Sequence, residues 1–349
     1  MPSFRVGPVT EILEARRALQ RVLVDLGSGA ERAYVLTQLV GPVEVGDRVV
    51  VNTTAVELGL GTGGWHVVHW NLAREAWTNT GSHNGMKLRY TSLQLDVAHS
   101  EPADVTTIDR MPVVAAGLHS QIAAIAVAFK RARPTGRLVY VMTDGGALPI
   151  AISDLVWQLR DAGLIDATIT CGHAFGGDFE AVSVYGGLAI ARWGAEADVA
   201  VVAMGPGSAG SGSSLGFSGI EIGAVLDGAN ALDGIPIAAL RISFADPRPR
   251  HQGVSHHSLT TLSIATRSRV QVPVPCVGGV DEAQIRRDLA RTRIDTRHDI
   301  VDLEPVGALA LMAEAGIEVE SMGRPAAADP VLFEAAAAAG TLAARVVAK

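Results

Sequence analysis

Residues 138–149 read LVYVMTDGGALP, an unbroken run of apolar and β-branched residues that stops at Thr143 and runs into Asp144, two glycines and a proline. The run is too short for a helix. It does not alternate apolar with polar, so it reads as a strand buried on both faces, as in a parallel sheet. The pattern recurs in PVVAAGLHSQ (112–121), ATITCGHAFGGD (167–178), VAVVAMGPGSAGSGSSLGFSG (199–219) and IAALRISFADPRPRHQGVSHH (237–257). Helical stretches separate the runs, which predicts an α/β fold with a largely parallel sheet flanked by helices. Ligands bind such sheets just outside the carboxyl ends of the strands, so the five loops are expected to share one edge and build one site.

Local signals punctuate this region. Ser153 is placed to cap the helix after TDGGALP, Ile152 and Trp157 have the spacing of a hydrophobic staple, and Gly163 stands where a left-handed terminus belongs. Later come the strands VQVPVPCV and DIVDLE, a helix in DEAQIRRDLAR whose Asp281 and Gln284 are spaced like a capping box, the helical GALALMAEAG, the segment IEVESM, and an alanine-rich helix from about Pro330.

The first 75 residues have another rhythm. FRVGPVTEI, QRVLVDL, RAYVLTQL, DRVVVNTTA and WHVVHW are short strands divided by glycine-rich turns, which predicts a small antiparallel barrel or sandwich over residues 1–75. The loop at 53–64, TTAVELGLGTGG, is either a plain surface loop or one that closes over a ligand. Residues 76–111 form a connector with one strand, MKLRYTSLQLDV, bulged near Thr91, and residues 112–349 form the α/β domain.

A chain of 349 residues that is 48% hydrophobic can fill two cores, and with 5% aromatic residues Val, Ile, Leu and Ala must fill them. The net charge of −7 argues against broad nucleic-acid binding, although a local basic loop can still hold one phosphate. The opening MPSFRVGPVTEI has no secretory pattern, and the best apolar stretch is broken by His119, Ser120 and Gln121, so neither a signal nor a membrane span is expected. Cys171 and Cys276 make no disulfide framework. A cytoplasmic protein is the expectation, with a homo-oligomer as an open option.

The strand-end loops carry the reactive groups. Gly205, Gly207, Ser208, Gly210, Ser211 and Ser213 form a loop that fits an anion. GPGSAG matches a dinucleotide fingerprint literally, but too much loop follows before a helix can start. Asp144 is placed to orient a histidine, hold a metal or accept a proton from a substrate hydroxyl, or else to cap its own turn. His173 and Asp178 are candidate catalytic groups in a glycine-flanked loop, whereas Cys171 reads better as an inert buried thiol than as a nucleophile. Arg248 and Arg250, held by prolines, suit a carboxylate or phosphate. His251 is a candidate acid or base. Asp246, His251, His256 and His257 have the chemistry of metal ligands, though not the spacing of a known metal motif. His119 either joins this group or is a core histidine at the start of the next helix.

Taken together and in this order, VNTTAVELGLGTGG, MKLRYTSLQ, LHSQ, TDGGALP, TCGHAFGGD, MGPGSAGSGSSLGFSG and FADPRPRHQGVSHHS resemble the DUF3866 family, bacterial proteins of unknown function, over roughly the full chain. The resemblance implies no activity, cofactor or catalytic residue. The residues themselves point to an enzyme acting on a small anionic metabolite. A non-catalytic nucleotide or phospho-ligand sensor and a metal-dependent hydrolase are the alternatives, and the cofactor is left unknown.

Overall fold

A computed structural model describes residues 1–61, 63–79 and 85–347. Thr62, within the loop at 53–64, lies outside them. The chain divides into two compact units, residues 1–98 with 149–152, and residues 99–148 with 153–349.

In the first unit β1 (Phe4–Arg16), β2 (Leu19–Asp25), β3 (Ala30–Leu36), β4 (Arg48–Asn52) and β5 (His66–Asn71) close into a five-stranded barrel in the order β1-β2-β3-β5-β4. Valines on the inward positions, among them Val9, Val22, Val24, Val49 and Val51, fill its core. The barrel is not wholly antiparallel as expected, because β3 and β5 run parallel. Five is an odd number, and an odd ring of strands cannot alternate direction at every step. The connector strand expected over MKLRYTSLQLDV is instead a hairpin of β6 (Gly85–Lys87) and β7 (Leu95–Val97). Leu88 and Tyr90 adopt left-handed backbone angles (φ 49 and 59), and the Thr91 N–H bonds the Leu88 carbonyl at 3.2 Å, folding the chain back.

The second unit is built on an eight-stranded sheet of β8 (Pro112–Ala116), β9 (Leu138–Thr143), β10 (Ala167–Cys171), β11 (Phe179–Ala181), β12 (Val199–Met204), β13 (Ile235–Ala239), and, after a small hairpin of β14 (Ile242–Ser243) and β15 (Gly253–Val254), β16 (Gln271–Pro275) and β17 (Asp299–Leu303). Their order is β11-β10-β9-β12-β8-β13-β16-β17, and every neighbouring pair is parallel. All residues of β8, β9, β10 and β12 are buried, which requires cover on both faces. Pro273 and Pro275 withhold two N–H groups on one side of β16, and β13 pairs with β16 at a single position, Ile237 with Gln271.

Helix ends follow the local chemistry. Ser153 caps the helix Asp154–Asp161 by accepting the Val156 N–H, and Gly163 is left-handed (φ +67). The capping box expected at Asp281 and Gln284 is displaced. The helix Gly279–Arg291 begins at Gly278, whose N–H is held by Glu282 Oε2 at 2.9 Å. IEVESM contributes only Glu320–Ser321, paired with Arg324–Pro325 outside the main sheet. The closing helix, Pro330–Val346, lies so close to the helix Gln121–Ala132 that a Cβ on Gly340 would stand 2.2 Å from the Ile125 carbonyl oxygen.

The strand order sets where a ligand fits. The chain leaves β8 toward β9 and leaves β12 toward β13, so the adjacent carboxyl ends of β8 and β12 are a topological switch point. Loops after β12 and β13 rise on either side of β8.

Candidate functional site

The loop after β13 carries the densest chemistry. The hairpin of β14 and β15 brings Ser255 back beside Arg241, its N–H on the Arg241 carbonyl at 2.9 Å. The short helix His256–Thr260 then turns His256 and His257 toward His251. The three rings sit with centroids 4.3 to 4.9 Å apart, and one nitrogen from each lies within 4.8 Å of the others. Phe217, arriving from the loop after β12, stacks flat on His257 at 4.0 Å.

These groups share a cleft of about 200 Å³ with Ser208, Gly210, Ser213, Arg241, Arg248 and Arg250. Asp246 lies fully buried beneath it. Arg248 Nε and Nη2 donate to its two oxygens at 2.9 and 2.8 Å, and Arg241 Nη2 donates to Oδ2 at 3.2 Å. Arg324 adds a longer contact at 3.6 Å. The hydrogen bond from Arg248 holds the Asp246 carboxyl well below the usual carboxylate range, so it stays ionised. Burial lowers Arg241 to about 10, still charged at neutral pH.

The histidines are uncharged. Burial, reinforced by Arg241 and Arg248, pushes His251 down to about 3. Burial and the neighbouring His256 push His257 to about 3, and His256 is lowered by burial and Arg250. The cleft therefore carries Arg241, Arg248 and Arg250 against one carboxylate, a local excess of positive charge in a chain of net charge −7.

The glycine and serine loop has a different form from a dinucleotide turn. Ala209 pairs with Ser218, and Ser211 with Gly216, so the loop is a small hairpin whose tip is closed by Ser213 Oγ accepting the Gly216 N–H at 3.0 Å. The following α-helix starts only at Ile222. Gly205 serves packing, since a Cβ there would stand 2.2 Å from the Ala147 carbonyl oxygen. Gly207 does not line the cleft; its φ of +92 is a backbone angle that favours glycine. Ser211 braces the hairpin through Ser213 Oγ at 3.0 Å.

The remaining candidates lie elsewhere. His119 stands at the switch point, but its ring is used internally: Nδ1–H donates to the Met204 carbonyl at 3.0 Å, and Nε2 faces Ser153 Oγ at 2.7 Å. Burial lowers it to about 4, so it is neutral. Asp144 accepts the His173 backbone N–H at 2.9 Å, joining the loops after β9 and β10. His173 follows β10 and His251 follows β13, four strand positions away, or about 19 Å at the usual spacing.

Asp178 sits toward the opposite end of the sheet. A parallel β11 must restart near the beginning of β10, so the chain after His173 runs back, and Asp178 accepts the Thr168 N–H at 2.9 Å and pairs with Arg160. Cys171 is buried.

Sequence reasoning missed Arg241, Phe217 and Ser255. Arg241 had a signal, as a lone cation inside the apolar run IAALRIS. Phe217 and Ser255 had none, because their importance comes from contact with residues far along the chain.

The family described as protein of unknown function (DUF3866) matches residues 32–340, and the chain belongs to it. No curated protein and no solved structure matches the chain. Among the described residues, no helix is long and apolar enough to cross a membrane.

Proposed function

We propose that this member of the DUF3866 family binds a small phosphate- or carboxylate-bearing ligand in the cleft between the loops after β12 and β13, and acts on it as an enzyme. The observation that carries the reading is the charge pattern of the cleft: Arg241, Arg248 and Arg250 face uncharged imidazoles, with Asp246 as the one carboxylate against them. Arg250 is the most available cation, since its contact to the Gly212 carbonyl is long at 3.5 Å. Arginine forks and hydroxyls of the serine hairpin suit the oxygens of a phosphate or carboxylate.

A bound anion also changes the histidines. An opposite charge within a few ångströms raises the pKa of an imidazole, so a bound anion opposes the downward shift that burial and the arginines impose on His256 and His257. His251 positions the pair, with Nδ1 held by Ser255 Oγ at 2.7 Å.

Inorganic phosphate is the first probe. Phosphate should raise the thermal midpoint of the second unit in a saturable way, and Arg250→Ala should weaken the half-saturating concentration about tenfold, the loss of one good charge-assisted contact. Equal phosphate dependence in both proteins would remove the cleft as the binding site. A metabolite panel then separates enzyme from sensor. Turnover of a ligand that binds identifies an enzyme, and recovery of every such ligand intact identifies a sensor.

A further inference from the structure

We infer that His251, His256 and His257 form a three-nitrogen site for a first-row transition dication, Zn²⁺ by preference, with its open coordination position facing the cleft. Three donors lie within 4.8 Å of one another. A tetrahedral ion with Zn–N bonds near 2.0–2.1 Å places its donors about 3.3 Å apart, so a closure of roughly 1.5 Å or less makes the site. Two of the rings come from neighbouring positions on one short helix and the third from the turn before it, so a small rotation of that segment suffices.

A second observation points the same way. Nε2 of His256 is buried and has no hydrogen-bond partner among the described residues. A buried nitrogen without a partner is costly, and coordination would satisfy it. The other ligands are already braced. Ser255 holds His251 Nδ1 at 2.7 Å, the kind of outer contact that fixes a metal-binding imidazole, and Phe217 fixes the plane of His257.

Arg241 must adjust. Its Nη1 lies 3.4 Å from His257 Nδ1, and coordination through Nε2 puts a proton on that nitrogen. Arg241 then turns wholly to Asp246, which already holds its Nη2 at 3.2 Å. The surrounding arginines favour an anion as the fourth ligand, which would place the proposed ligand directly on the metal. The metal site stands on the histidine geometry alone, independent of the anion reading.

The test is titration of Co²⁺ into chelator-stripped full-length protein without phosphate, read by visible d–d absorption and by thermal midpoint. The expected result is one Co²⁺ per chain with the intense bands of low-coordinate nitrogen ligation, competed away by Zn²⁺. His256→Ala should weaken binding by more than about 100-fold, beyond the loss seen for outer-sphere changes. His173→Ala should leave binding unchanged. Arg250→Ala should retain Co²⁺ while losing phosphate affinity, which separates the two proposals. If wild-type protein binds no Co²⁺ at millimolar concentration, or folded His256→Ala binds it as tightly as wild type, the site does not exist. Should His256→Ala fail to fold, the wild-type titration and His257→Asn decide.

Discussion

Acidification should destabilise the second unit through His119 in a way that one substitution removes. The ring bonds at both nitrogens in its neutral form: Nδ1–H donates to the Met204 carbonyl, and Nε2 accepts from Ser153, whose oxygen also caps its helix by accepting the Val156 N–H. A second proton on Nε2 would remove the acceptor of the Ser153 hydroxyl proton. The folded pKa is accordingly about 4 against an ordinary 6.5, with burial as the main cause. Between those values the unfolded chain holds a proton that the folded chain lacks. Stability therefore falls as the pH drops from 6.5 to 4 and levels off below that. The gap corresponds to about 3 kcal/mol at 1.36 kcal/mol per pH unit. His119→Gln cannot titrate, and at pH 7 it should be less stable by about 1–2 kcal/mol through imperfect hydrogen bonds. Urea unfolding of both proteins from pH 7 to pH 4 should show the order of stability reversing, because other titrating groups cancel in the difference. Parallel pH curves for wild type and variant would refute the account of His119 as a buried neutral link.

Two further outcomes follow from the packing. Gly340→Ala adds a helix-favouring methyl group yet drives it into the Ile125 carbonyl, so the variant should lose about 1–3 kcal/mol in urea unfolding rather than gain up to about 1. Asp178→Asn should cost about 1 kcal/mol at pH 7 and leave phosphate binding untouched, since Asp178 lies toward the far end of the sheet. Burial opposes its ionisation, but the Thr168 N–H and Arg160 outweigh it and lower its pKa, so the cost should fade as the pH falls through the carboxylate range.

The sheet was legible because LVYVMT, VAVVAM and ATITC are apolar at nearly every position, and only a strand covered on both faces tolerates that. Loop composition likewise marked the carboxyl edge, and Ser153 and Gly163 announced one helix from local chemistry alone. MKLRYTSLQLDV misled because Leu88 and Tyr90 take left-handed angles that their side chains do not advertise. Which reactive groups meet depends on strand order. His173 and His251 both follow strands, yet β9, β12 and β8 lie between β10 and β13, while Asp178 is carried back to begin a parallel neighbour. Arg241 and Asp246 found each other through the hairpin of β14 and β15. The residues determined by themselves that chemistry gathers at strand ends, because burial and turn formation act over a few positions. Tertiary structure alone decided that Phe217, Arg241 and three histidines share one cleft, because the order of strands in a parallel sheet is set by how helices cross it, and no short stretch of sequence encodes that.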